Sequence, residues 1–115
     1  MLLEKQGLRV PREQPQVYLV LAGERAEIAG LKLAEQLRDA WPDLALQINL
    51  GGGSFKTQFK RADKSGAQFA LLLGEEEAAR GVVAVKALRR ELAQEDCPMN
   101  QISERLGVLL GLRGG

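Results

Sequence analysis

The feature that most limits the fold is a series of three short apolar runs, separated by two longer segments with helical periodicity. The runs cover residues 16–23, 44–50 and 68–74. The first and third are almost continuously apolar, as strands buried on both faces must be. Because a helix-length segment joins each run to the next, the pattern predicts three parallel strands with right-handed crossovers and helices on both faces of the sheet.

The second crossover segment follows three successive glycines at 51–53 and ends at Gly66, which suits a left-handed C-cap. Lys56, Lys60 and Lys64 recur every four residues, with Arg61 beside them, so we expect one basic, solvent-facing side. The two phenylalanines of this helix, Phe55 and Phe59, stand four residues apart on another side. We expect both rings to anchor the helix to the core.

The second half of the chain predicts a fourth strand at 82–88 and a short edge strand at 93–98. Pro98 restricts that fifth strand to an edge. A short acidic helix turn at 75–79 and a last helix capped by Asn100 complete the pattern. The predicted fold class is therefore α/β, with three layers and a mixed sheet of four to five strands, of which the first three are parallel.

The chain predicts one domain, at residues 16–113, preceded by an end piece at 1–15. Leu2, Leu3 and Leu8 could finish a helix, and Pro11 and Pro15 bound an extended linker. This arrangement suggests that a larger body precedes the domain.

Composition excludes several classes of function. The 115-residue chain has a formal net charge of +1, so nucleic-acid binding would need a local patch rather than bulk attraction. It has no histidine, the commonest general base and metal ligand, and its single cysteine, Cys97, fits a reducing cytosol. No apolar run approaches the roughly 20 residues of a membrane span. No metal cluster, nucleophile–base pair or phosphate-binding glycine motif is recognisable.

A binding site is expected at the carboxyl ends of the parallel strands, where ligands of open α/β sheets lie. Residues 22–24, 49–54 and 74–77 follow the three strands and bring amides, backbone N–H groups and carboxylates beside the basic helix. This mixture suits single-stranded RNA, whose phosphates pair with cations while its base edges meet polar groups. It fits double-stranded DNA poorly, since no free basic helix could enter a major groove.

Three strings carry a family resemblance: NLGGGSFKTQFKRADKSGA at 49–67, FALLLGEEE at 69–77 and VAVK at 83–86. They closely resemble the C-terminal anticodon-binding domain of bacterial histidyl-tRNA synthetases, and the likeness runs from about residue 16 to residue 110. The resemblance implies the class II anticodon-binding fold and explains residues 1–15 as the last catalytic-domain helix with its linker. One departure is the charged, proline-containing stretch at 87–98, where the fifth strand is expected to be short or missing.

The resemblance also implies a function. The parent would be a cytoplasmic, homodimeric ligase that attaches histidine to its tRNA using ATP. Histidine, ATP and magnesium would be bound by a catalytic domain whose motifs are absent here. This domain would hold no cofactor and no catalytic residue, and it would contact the anticodon arm of histidine tRNA and its own catalytic domain.

Related class II anticodon domains read bases with the loop after strand two, the glutamate after strand three and a basic residue on strand four. The positions that match by resemblance are Gln47, Asn49, Gly51, Gly52, Gly53, Ser54, Glu77 and Lys86. The basic-face argument adds Lys56, Gln58, Lys60, Arg61 and Lys64.

Two alternative functions remain at this point. One is a synthetase-like, non-catalytic module that binds other RNA or protein partners for regulation. The other is a nucleotide-phosphate-binding domain that uses the glycine loop and the helix N-terminus.

Overall fold

The computed structural model describes residues 15–49 and 53–112. The predicted helix end and most of the predicted linker fall at residues 1–14, outside the described residues. The same holds for Gly51 and Gly52.

The strands and helices of the described chain follow one another in the predicted order. The strands are β1 (Val17–Leu21), β2 (Leu46–Ile48), β3 (Phe69–Leu73), β4 (Val82–Ala87) and β5 (Glu95–Pro98). The α-helices are α1 (Glu24–Ala40), α2 (Phe55–Ser65), α3 (Glu75–Arg80) and α4 (Ile102–Leu110). None of the helices within the described ranges combines the length and the apolar character that crossing a membrane requires.

The strands form one mixed sheet in the order β2-β1-β3-β4-β5. β1 lies parallel to both β2 and β3, whereas β4 is antiparallel to β3 and β5 is antiparallel to β4. The prediction of a mixed sheet whose first three strands are parallel is confirmed. The fifth strand forms, and it is a short edge strand that ends at Pro98.

Helices cover both faces of the sheet, which explains why β1 and β3 are apolar throughout. On one face, α1 and α4 enclose the larger core, whose fully buried members include Leu19, Leu37 and Leu106. On the other face, α2 packs over a smaller cluster of buried residues: Tyr18, Val20, Ala62, Ala67 and Ala70. Alternate residues of β1 therefore enter different cores, as strand geometry requires.

One detail of the second half differs from the sequence expectation. Asn100 does not cap the last helix, because it lies inside a 3-10 turn (Met99–Gln101) that precedes α4. β5 is tied to α4 by Arg105, whose Nε and Nη2 donate to the Glu95 carboxylate at 2.8 and 2.9 Å. These hydrogen bonds hold the pKa of Glu95 below its usual value.

Trp41, directly after α1, joins that helix to α4. Its Nε1 donates a hydrogen bond to the carbonyl oxygen of Ser103 at 2.8 Å, and its ring lies over Gly107. A Cβ built on Gly107 would lie only 2.6 Å from Cζ2 of the indole. The glycine therefore allows the two helices to approach across a flat aromatic ring.

Gly107→Ala is expected to lower the free energy of unfolding by about 1 kcal/mol. Overpacking against a hydrogen-bonded indole costs about 1–3 kcal/mol, which exceeds the helix propensity gain of about 1 kcal/mol. Urea unfolding followed by circular dichroism measures the change. Val108→Ala, at an exposed position of the same helix, should stay within about 0.5 kcal/mol of wild type. A Gly107→Ala protein more stable than wild type would contradict this account of the contact.

Candidate nucleic-acid interface

The candidate site lies at the carboxyl ends of β1, β2 and β3, where α2 begins. β2 ends beside β1, and the backbone N–H of Asn49 donates to the carbonyl oxygen of Leu19 at 3.0 Å. The next described residues, Gly53 and Ser54, lead directly into α2. The first turns of α2, the end of β2 and the turn between β3 and α3 therefore border one edge of the sheet.

Gln58 fastens α2 to this edge and is itself inaccessible. Its side chain is fully buried (0% exposed), although the basic-face argument places it among the ligand contacts. Its Nε2 donates to the carbonyl oxygens of Leu21 (2.6 Å) and Gly53 (2.8 Å), and its Oε1 accepts from the Leu21 N–H at 2.9 Å. Gln58 faces β1 and not solvent, so the expectation that its side chain is exposed is wrong. Gln58 therefore holds α2 in position against β1.

Asn49 is also buried, but its amide is held at the border of the site. Its Oδ1 accepts hydrogen bonds from the Tyr18 hydroxyl at 2.8 Å and from Arg61 Nη1 at 3.1 Å. Burial raises the pKa of Tyr18 above its usual value, and the charge of Arg61 lowers it in part, so the phenol is a neutral donor at neutral pH. Since arginine can only donate, its contact fixes which end of the amide carries the oxygen, and the Tyr18 hydroxyl is then a donor to the same atom.

The arginine that contacts Asn49 reaches back over the glycine loop. Gly53 has φ +101°, and a Cβ built there would lie 3.8 Å from Arg61 Nη1. The side chain of Arg61 thus points towards the N-terminus of α2, as helical geometry favours. Although Arg61 lies about two turns into α2, its guanidinium therefore reaches the edge of the sheet.

The N-terminus of α2 is partly satisfied from within the chain. Ser54 is the N-cap, and its Oγ accepts from the backbone N–H of Thr57 at 3.2 Å. One of the amides expected to face a ligand is therefore already bonded, which weakens the case for a dedicated phosphate site at this helix end.

The carboxylates that follow β3 bond to backbone amides. Glu77 Oε1 accepts from the N–H of Gly74 at 2.9 Å, and Glu75 Oε2 accepts from the N–H of Arg25 at 2.8 Å. Glu75 therefore satisfies an amide in the first turn of α1, while Glu77 closes the first turn of its own helix. Glu77 is half-buried at the border of the site, and its hydrogen bond with Gly74 fixes the position of the carboxylate.

The outer side of α2 is basic as predicted. Lys56, Lys60 and Lys64 are all exposed, and among the described residues none of them forms an ion pair with a carboxylate. Asp63, the single acid of this helix, is paired with Arg89, whose Nη1 lies 3.2 Å from its Oδ1. The pairing leaves the three lysines as a continuous positive row, which we call the lysine row.

Gln47 and Lys86 occupy one level of the sheet but lie far apart on it. Gln47 is in register with Tyr18, Tyr18 with Ala70, and Ala70 with Lys86, so all four project on the α2 face. Three strand spacings of about 4.8 Å separate the outer two, and α2 packs over the residues between them. Gln47 is exposed and Lys86 is half-buried. They flank α2 instead of meeting at the glycine loop.

The two phenylalanines of α2 differ in environment. Phe59 packs against the smaller core, in accordance with the prediction. Phe55 is 39% exposed, so the expectation that it anchors the core is wrong. As the first residue of the helix, it lies at the border of the site instead of over the sheet.

The structure therefore brings Asn49, Gly53, Ser54 and Arg61 together and sets Glu77 across the same edge. Sequence reasoning missed Tyr18, the capping role of Ser54 and the burial of Gln58. A serine directly before a helix is a readable capping signal. Tyr18 gave no such signal, because a tyrosine within an apolar run reads only as part of a buried strand.

The arrangement offers cations on one helix side and oriented hydrogen-bonding groups at the N-terminal end of that helix. Within the described residues, no group of three or more His, Cys, Asp and Glu side chains could hold a metal ion. Such a surface can bind a phosphate backbone and contact base edges.

Comparisons with known proteins agree with this geometry. The family model described as the anticodon binding domain matches residues 16–108. The histidine–tRNA ligase of Hydrogenovibrio crunogenus is 53% identical over 96 residues, which are 84% of this chain and 22% of that relative. The chain thus spans about a fifth of the length of this relative.

Solved structures show the same fold. The histidyl-tRNA synthetase from Nostoc sp. PCC 7120 superposes with a TM-score of 0.76 at 28% identity, over 88% of this chain and 24% of that one. The RNA binding domain of threonyl-tRNA synthetase from Cryptosporidium parvum gives a TM-score of 0.72 at 13% identity, over 82% of this chain and 23% of that one. At that identity the second likeness concerns the fold alone.

Gln58→Leu is expected to lower the free energy of unfolding by about 2–4 kcal/mol. The substitution keeps the side-chain volume but leaves the buried N–H and carbonyl of Leu21 without partners. Each unpaired group costs about 1–3 kcal/mol of stability. Gln47→Ala, at an exposed glutamine on the same sheet, is the control and should change stability by less than about 0.5 kcal/mol. Chemical denaturation of both variants tests the difference. Equal stability of Gln58→Leu and wild type would show that the hydrogen bonds do not hold α2 in place.

Proposed function

Because this chain belongs to the anticodon binding domain family, we propose that it binds the anticodon arm of a tRNA as part of a histidine–tRNA ligase. The relation to the Hydrogenovibrio enzyme supports histidine tRNA as the specific partner. The observation that carries the proposal is the lysine row, which starts at the edge that holds Asn49 and Glu77.

The lysine row has the dimensions of a short RNA strand. Lys56 and Lys64 are eight residues apart, so about 12 Å of helix axis separates them. Nucleotides stacked at about 3.4 Å cover this length in three or four steps. The lysine row therefore binds the phosphates of the anticodon loop, and this contact is independent of base sequence.

Base readout is assigned to the polar groups at the edge of the sheet. The carboxylate of Glu77 accepts hydrogen bonds from base N–H groups, and the amide of Asn49, which Tyr18 and Arg61 orient through its Oδ1, lies beside a second base edge. Gln47 and Lys86 extend this readout along the two flanks of α2. Tyr18 and Arg61 act on readout through the orientation of Asn49.

The remaining features of the parent enzyme belong to the same proposal. The chain works beside a catalytic domain that uses ATP, magnesium and histidine, within a cytoplasmic homodimer. The capped N-terminus of α2 gives the nucleotide-phosphate alternative no support. The charge pattern alone would also serve a non-catalytic RNA-binding module, from which preference for one anticodon distinguishes the ligase domain.

Replacing the lysine row is expected to weaken RNA binding without regard to base sequence. The variant is Lys56→Ala/Lys60→Ala/Lys64→Ala, and the ligand is an anticodon stem-loop of histidine tRNA beside one with a scrambled anticodon. Affinity for both loops should fall by a similar factor. The slope of log K against log salt should become shallower by about 2, because three phosphate contacts are lost at about 0.7 each. Fluorescence anisotropy over a salt series gives both quantities.

The matched control removes three cations from the opposite face of the sheet, as Arg25→Ala/Lys32→Ala/Arg38→Ala on α1. These side chains are also exposed, so the change in net charge is the same. An equal loss in both triple variants would mean that only the total charge matters and would overturn the assignment to α2. Equal binding of cognate and scrambled loops by the wild-type chain would contradict anticodon readout.

Tyr18→Phe is expected to reduce preference for the cognate loop severalfold while the salt slope stays constant. Loss of the hydroxyl leaves the Asn49 amide held by one fewer hydrogen bond, at a stability cost of about 1 kcal/mol. Competition binding between cognate and scrambled loops measures the preference. Val17→Ala, a core substitution on the other face of β1, controls for destabilisation alone. A uniform loss for both loops in Tyr18→Phe would contradict a role in orienting Asn49.

A further inference from the structure

Phe55 presents an aromatic ring at the border of the candidate site. The ring is 39% exposed, whereas Phe59, one turn further along α2, packs against the smaller core. Single exposed apolar side chains are common on protein surfaces, so exposure alone assigns no role. The position matters because Phe55 is the first residue of α2, next to Ser54 and Gly53 at the edge of the sheet.

Gly74 holds the ring in this place. A Cβ built on Gly74 would lie 3.0 Å from Cζ and 3.1 Å from Cε2 of Phe55, so the ring packs against backbone where β3 ends. The same Cβ would lie 2.8 Å from Oε1 of Glu77, which accepts the Gly74 N–H. The ring of Phe55 and the carboxylate of Glu77 therefore lie side by side against Gly74, whose backbone contacts both of them.

From this convergence we infer that Phe55 is a stacking platform for one unpaired base of the bound RNA. The inference rests on the proposed function and adds a specificity-determining residue to it. A flat ring fixed along one edge and open on part of its surface can receive a base at little cost in side-chain entropy. The base would then lie beside a carboxylate that accepts hydrogen bonds from base N–H groups.

The contact differs in kind from those of the lysine row. Stacking depends on the presence of a base and is tolerant of salt, whereas phosphate contacts depend on charge and weaken as salt rises. The two contributions can therefore be separated by removing a base from the RNA without removing its phosphate.

The test is a double-mutant cycle between the 115-residue chain and the anticodon stem-loop of histidine tRNA. The protein variant is Phe55→Leu, and the RNA variants carry one abasic site in turn at each anticodon position. Phe55→Leu should weaken binding of the intact loop by about fivefold or more. At one position the abasic RNA should lose affinity as well, and combining it with Phe55→Leu should cause no further loss. Phe55→Trp should bind as tightly as wild type or more tightly.

Phe59→Leu is the matched control, because it makes the same chemical change four residues along the same helix. Any loss that it causes should multiply with the loss at every abasic position. The same multiplicative behaviour in Phe55→Leu, or unchanged binding by that variant, would overturn the stacking inference. Sensitivity to the lysine-row substitutions would then still support the proposed function. Failure of the wild-type chain to bind the intact loop would overturn both.

Discussion

A single buried amide fixes the geometry on which the candidate site depends. The side chain of Gln58 is fully buried and has three hydrogen bonds to main-chain atoms of β1 and of the glycine loop. A shift of α2 by one turn would leave the buried N–H and carbonyl of Leu21 unpaired. Unpaired buried polar groups lower the stability of the fold. An apolar residue could fill the same volume without specifying the register. The positions of Arg61, Phe55 and the lysine row relative to the sheet follow from this constraint.

The charges around the site are arranged to leave one surface positive in a nearly neutral chain. Arg89, which follows β4, neutralises Asp63 on α2. The acidic turn after β3 lies close to the same edge, but Glu75 and Glu77 accept backbone N–H groups from α1 and from the turn itself. These acidic residues near the lysine row thereby contribute to the structure, and their hydrogen bonds to backbone N–H groups fix where their charges lie.

The sequence determines the architecture more fully than it determines the site. Apolar runs and helical periodicity were sufficient for the mixed sheet and for the basic side of α2, because both arise from patterns that repeat along the chain. The burial of Gln58 and the exposure of Phe55 could not be read in the same way. A glutamine amid lysines looks solvent-facing, and its burial depends on Leu21, which is 37 residues distant in sequence. Phe55 shares the spacing of a core residue, but its place at the start of the helix leaves it beyond the sheet.

The outer strands of the sheet bear on how the domain behaves at high concentration. β2 is only three residues long, and β5 carries Glu95 and Asp96 before it ends at Pro98. Short, charged and proline-containing edges are poor templates for another strand, so neither border of the sheet readily extends into a neighbouring molecule. A domain built in this way has little tendency to polymerise through its sheet when many copies are present at high concentration.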